Sequence, residues 1–124
     1  MNTLVIEGTK HTPQILFDAE QNSLVVKGRS LPENANDFYQ SVLKWIDNYI
    51  ESKPDKTNIS FDLDYFNTAS AKAIFSILRK MEHLHNNNKN TEAIWYYDID
   101  DEDLKDVGIE FQNIFKFPII IQEK

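Results

Sequence analysis

The stretch "DYFNTASAKAIFSIL", residues 64–78, changes its period at the centre. Leading into it, "NISFDLD" (58–64) alternates, with Ile59, Phe61 and Leu63 on one face and Ser60, Asp62 and Asp64 on the other. That is the pattern of a strand with one face in a core. From Ser70 onward Ile74, Ile77, Leu78, Met81 and Leu84 recur at three- and four-residue spacing, with Phe75 near the edge of the stripe. That is a helix. Asn67, Thr68 and Ser70 occupy the junction, and no glycine eases the turn. A strand handing over directly to a helix is the unit from which α/β folds are built.

Working outward, the same alternation of elements continues. "HNNNKN" (85–90) reads as a polar loop, "EAIWYY" as a strand, and "DEDLKDVGIEFQNIF" as a shorter helix with Leu104, Val107 and Phe111 inward. The acidic residues of that helix crowd its first turn, where the helix dipole favours them. "PIII" is a last short strand. Upstream, "TLVIE", "QILFD" and "SLVVKG" are β-rich, and "AEQN" between the latter two is a hairpin loop. "LPENAND" carries proline and helix-start residues. Phe38, Val42, Trp45, Ile46, Tyr49 and Ile50 then mark one side of a helix that "KPDK" stops. The order β-β-β-α-β-α-β-α-β predicts a single domain over residues 1–124. Its small mixed sheet has an antiparallel N-terminal edge and a parallel core, with helices mainly on one face.

Bulk properties narrow the function. A formal charge of −7 over 124 residues repels a phosphate backbone and argues against nucleic-acid binding; it also disfavours anionic lipid. With no cysteine, disulfides and thiolate chemistry are absent. No apolar run approaches the roughly 20 residues of a membrane span, and "MNTLVIEGTK" lacks the basic flank of a secretory signal. A cytoplasmic location is the expectation.

The junction admits two readings. Asn67, Thr68 and Ser70 are all helix-capping types, since a side-chain oxygen can accept from the free amides of the first turn. Alternatively, a hydroxyl at the carboxyl edge of an open sheet is where α/β proteins place their sites. A phosphate added there would lie beside unpaired amides and the positive end of the helix dipole. Lys72, one turn on from Thr68, could pair with it.

Several blocks resemble a known family in order along nearly the whole chain: "GTKHTPQILFD", "VKGRSLPENANDFYQSVLKWIDNYI", "FDLDYFNTASAK" and "IWYYDIDDEDLKDVG". They look like the SiaC family of bacterial regulatory phosphoproteins, similar in fold to the STAS domains of anti-sigma-factor antagonists. The resemblance implies a non-enzymatic switch without cofactor, phosphorylated by a partner kinase and reset by a PP2C-type phosphatase. It further implies an effector such as a diguanylate cyclase, bound in the unmodified state. The family's acceptor carries over onto Thr68, with Ser70 in the same turn as the fallback. Asn67 stands where many antagonist proteins carry the aspartate of an Asp-Ser-Ser-Gly signature.

Other constellations are weaker. Asp98, Asp100 and Glu102 mimic the start of a calcium loop, but Asp103 replaces its glycine and Ile109 its final glutamate. The 98–103 loop could instead meet a basic patch on a partner. Asp62 and Asp64, about 7 Å apart on one strand face, could do acid–base or Mg²⁺ chemistry; with the 98–103 loop they form the alternative, a small acidic ligand-binding domain or enzyme. His83 and His85, two apart, diverge on a helix. No Ser-His-Asp set or phosphate-cradling loop is visible. Phe38 and Tyr39 are adjacent, so only one can point inward; Tyr39 is expected at the surface, facing a partner.

Overall fold

A computed structural model describes all residues, 1–124. The elements are β1 (Leu4–Ile6), β2 (Gln14–Asp18), β3 (Ser23–Ser30), α1 (Ala35–Glu51), β4 (Lys56–Phe66), α2 (Thr68–Asn86), β5 (Asn90–Tyr97), α3 (Glu102–Ile114) and β6 (Ile119–Glu123). All six strands lie in one sheet in the order of the sequence. The first three pair antiparallel and β3 to β6 pair parallel. Three right-handed crossovers that step the same way along a sheet must put their helices on the same side. The other side stays bare.

Register turns alternation into a core. Phe17, Leu24, Ile59, Ala93 and Ile119 stand in one row across five strands, and Ile15, Val26, Phe61 and Trp95 in the next. All of them are buried. Onto these rows α2 lays Ile74, Ile77, Leu78, Met81 and Leu84, the stripe its spacing predicted. The row between them faces the bare side: Val5, Leu16, Val25, Ser60, Ile94 and Ile120. No helix is long and apolar enough to cross a membrane.

Two expectations need correction. Helix α1 buries Ala35, Tyr39, Val42, Ile46 and Tyr49, so Tyr39 is core and not partner-facing surface. It is 1% exposed, and the half-buried Phe38 packs edge-on against it at 4.9 Å. The four–three spacing from Ala35 outweighs the phenol's polarity because its hydroxyl finds a buried partner. The polar segment 85–90 also shrinks: α2 runs through Asn86, and the chain reverses at Asn88 (φ 64), a left-handed position that asparagine tolerates.

Near the end of β4 the register slips. Gly28 faces Leu63 but Arg29 faces Tyr65, leaving Asp64 as an extra residue. Gly28, at φ 115, supplies the backbone freedom beside this bulge. Alternation therefore breaks after Leu63. Tyr65 becomes 51% exposed, while Phe66 turns its ring edge-on to Trp95 at 6.0 Å.

Helix α3 seats on the sheet at Gly108. A Cβ there would lie 2.5 Å from Cδ1 of Trp95 and 2.8 Å from Cδ1 of Ile121. The indole cannot yield readily, because its Nε1 donates to the Leu104 carbonyl at 2.9 Å and its ring packs against Phe61 at 5.6 Å and Phe111 at 5.3 Å. Alanine's advantage in a helix is about 1 kcal/mol, whereas overpacking costs ~1–3 kcal/mol. Gly108→Ala should thus lower stability by up to about 2 kcal/mol in urea unfolding; greater stability would contradict this seating.

Candidate functional site

The strand-to-helix junction is closed by one residue. Asn67 is extended (φ −89, ψ 173), and its side-chain oxygen accepts from the Ser70 amide at 2.9 Å. Its own amide donates to the Ser30 carbonyl at 3.0 Å, and its carbonyl accepts from Ala71 at 3.0 Å. Asn67 thus begins α2 while fastening it to the last residue of β3.

Beneath this turn lies a chain of buried hydroxyls. The Ser70 hydroxyl donates to the Ser30 carbonyl at 3.0 Å and accepts from the Ser30 hydroxyl at 2.7 Å. The Ser30 hydroxyl has then used its one proton, so at 2.6 Å it must accept from Tyr39. Burial raises the Tyr39 pKa above its ordinary value, and its hydrogen bonds to serine offset only part of that. The phenol therefore stays protonated and keeps its donor role. Ser30 and Ser70 are both 0% exposed.

Thr68 is the opposite case. It is the first residue of α2 and is exposed, as are Ala69 and Lys72. The first-turn amides of Thr68 and Ala69 have no intrahelical carbonyl to reach. Acidic residues occupy the first turn of α1 (Asp37) and α3 (Glu102, Asp103), but none occupies that of α2. Beside Thr68 a groove of about 620 Å³ opens between α2 and α3, with Lys72 and Glu110 on its rim and Phe75, Phe111 and Ile114 among its apolar residues.

Glu82 ties α2 to the segment that follows α3. One of its carboxylate oxygens accepts from Arg79 at 2.8 Å and the other from the Lys116 amide at 2.7 Å. The Lys116 amide is the main reason its pKa is lowered; desolvation opposes the shift and Arg79 adds to it. Arg79 also covers the rings of Phe75 (5.2 Å) and Phe115 (4.9 Å).

The acidic alternative finds its charges dispersed. On the bare face Lys124 bonds Asp62 at 2.5 Å and Asp64 at 3.4 Å. Burial disfavours the ammonium, but the two carboxylates outweigh it and raise the Lys124 pKa. Asp98 and Asp100 are exposed in the 98–103 loop. Asp101 caps α3 by accepting from the Leu104 amide at 3.0 Å. No three His, Asp or Glu side chains converge as a metal site.

Comparison with known proteins places this chain in a lineage. Residues 6–124 match the model of the SiaC family regulatory phosphoproteins. The chain belongs to the SiaC family. It is 31% identical over 122 residues to an uncharacterized protein of Pseudomonas aeruginosa strain UCBPP-PA14, covering 98% of this chain and 97% of that one. Apo-SiaC from Pseudomonas aeruginosa superposes with a TM-score of 0.91 at 30% identity, covering 98% of this chain and 99% of the other. The SiaC chain seen in complex with the diguanylate cyclase SiaD, which it activates, gives 0.93 at 30% identity over the same shares. The mixed sheet and three helices are the SiaC fold.

The structure brings Asn67, Thr68 and Lys72 together at one exposed edge and puts Ser70 and Tyr39 beneath it. Ser70, the fallback acceptor, is out of reach of a modifying enzyme in this packing. Ser30 was not singled out from sequence, since its partner Ser70 lies 40 residues away. The inward Tyr39 was legible in principle from its spacing to Ala35 and Val42. Stability should separate the two hydroxyls: Ser70→Ala should cost about 1–2 kcal/mol by stranding buried partners, and Thr68→Ala no more than about 0.5 kcal/mol. Equal costs in denaturant titrations would contradict the inward and outward assignment.

Proposed function

We propose that this chain is a phosphorylation-controlled protein–protein switch, with Thr68 as the acceptor and the edge around it as the effector surface. What carries the reading is the exposure of Thr68 at the first position of α2, in a chain belonging to a family of regulatory phosphoproteins. In the phosphoryl step Oγ1 of Thr68 attacks the γ-phosphorus of ATP held by a partner kinase. ADP leaves, and the hydroxyl proton passes to a base of the kinase. A PP2C-type phosphatase returns the phosphate to water. The effector is a diguanylate cyclase, as the complex of the related SiaC with SiaD suggests, and the unmodified protein is the form that binds it.

Charge explains the switching. A phosphothreonine brings about −1.5 to −2 charges to the rim of an apolar groove. The fold tolerates it, since the free amides and the helix dipole favour an anion there and Lys72 lies one turn away. A partner pressed against the groove must instead desolvate that anion, and each 1.4 kcal/mol lost is about a tenfold loss of affinity. The same group on Ser70 would have to enter the buried hydroxyl chain.

Co-expression with the cognate kinase should add one phosphate to the intact mass, and Thr68→Ala should remove that addition; continued phosphorylation of Thr68→Ala would refute the acceptor. Thr68→Glu should stay folded yet fail to recover the cyclase in pull-downs, where undiminished recovery would count against the switch. Phosphorylation should also raise the melting temperature by about 2–5 °C, from ~0.5–1 kcal/mol at the helix terminus. A fall would point to modification of a buried hydroxyl.

A further inference from the structure

The face of the sheet that carries no helix is not a polar one. Val5 is 59% exposed, Leu16 40% and Ile120 40%, and Val25 and Ile94 between them are half-buried. With Ser60 these residues form one row that crosses all six strands. A contiguous apolar stripe of this length, on a chain of net charge −7, marks a surface for association. The two flanking rows differ in charge. Toward the amino ends of β4 and β5 stand Asp18, Ser23, Asn58 and Glu92, and toward the carboxyl ends Gln14, Lys27 and Asp62. Asp18 accepts from the amides of Glu20 and Gln21, and Asp62 from Lys124. Glu92 and Lys27 enter no ion pair of the chain. The two uncommitted charges thus lie on opposite flanks of the apolar row.

We propose that a second copy of this chain covers the row, face to face, about a two-fold axis that runs along it. Shape selects a sheet as the occupant. A helix laid along the strands, about 10 Å across, covers roughly two of them at ~4.8 Å spacing, whereas the row crosses six. A second sheet stacked ~10 Å away covers all of them, with the strands of the two sheets nearly aligned. Charge selects the copy and the axis. A two-fold along the row reverses the strand direction, so the Glu92 flank of each copy lies over the Lys27 flank of the other, twice by symmetry. A two-fold along the strands would instead exchange β2 with β5, the second strand from either edge. Asp18 of each copy would then lie over Glu92 of the other, like charge on like. Area sets the strength. Six strands at ~4.8 Å and about five residues at ~3.4 Å give ~500 Å² per copy. The pair then buries about 1,000 Å², the lower bound of a specific interface, and its Kd is about 10–100 μM. Thr68 belongs to the helix layer and stays accessible in both copies.

The test is sedimentation equilibrium of the full unmodified chain, from about 5 to 500 μM. Salt is held at ~0.15 M, where screening confines the repulsion of two acidic chains to ~8 Å. The 14.5 kDa chain should convert reversibly to twice its mass. Leu16→Asp and Ile120→Asp, at exposed positions that leave the fold intact, should each weaken association about tenfold. Ile114→Asp, on the helix side, should leave it unchanged. Lys27→Glu alone and Glu92→Lys alone should each weaken it about threefold, and the two together should restore it, a recovery that misfolded variants could not produce. A chain that is monomeric throughout would overturn the pairing, as would a dimer indifferent to Leu16→Asp and Ile120→Asp or weakened instead by Ile114→Asp. A dimer whose single charge reversals are silent would overturn the two-fold along the row. A monomer whose ¹⁵N-labelled Leu16, Val25 and Ile94 amides shift on adding the cyclase would give this face to the effector and overturn the second copy. None of these outcomes bears on Thr68 as the acceptor.

Discussion

The Ser30 carbonyl accepts two hydrogen bonds, one from the Asn67 amide and one from the Ser70 hydroxyl. Most of what is distinctive in this molecule depends on that double acceptance. It pins the first turn of α2 to the last residue of β3, an element 40 residues earlier. Around it the donors run in a single direction, from Tyr39 through Ser30 to Ser70, with no hydroxyl proton left over. A buried network of this kind is favourable only when every member is satisfied, and no buried side-chain polar atom of this protein lacks a partner. The turn above it is consequently held in one conformation.

Helical geometry does the remaining sorting. Successive residues of a helix are separated by about 100°, so positions 68 and 70 point in nearly opposite directions. One turn can therefore offer a hydroxyl to solvent and another to the core, and cannot offer both to solvent. Thr68 lies outward and Ser70 inward. The bulge at Asp64 prepares this arrangement one step earlier, turning Tyr65 out and Phe66 in just before the helix begins.

Much of this was legible in the residues. The switch of period at Asn67 marked the junction, and the single-faced alternation of "NISFDLD" implied a sheet with one bare side. The direct step from strand to helix implied parallel crossovers. What escaped depends on partners far apart in sequence. The bulge becomes visible only when Gly28 is set beside Leu63. Lys124 gives no local sign that it bridges Asp62 and Asp64. Tyr39 was misplaced because a phenol beside a phenylalanine looks like the more polar of the two, whereas its environment depends on whether a hydroxyl waits inside.

The sequential strand order has a consequence for how the chain becomes ordered. Every strand pairs with the one before it, so none has to be threaded between two neighbours already joined. The sheet can be extended in the direction of synthesis, each new strand and its crossover adding to an existing edge at modest loop-closure cost. Residues that hold the Thr68 turn, from Ser30 to Ser70, all precede β5. The edge around Thr68 can thus be assembled while the last two strands are still emerging from the ribosome.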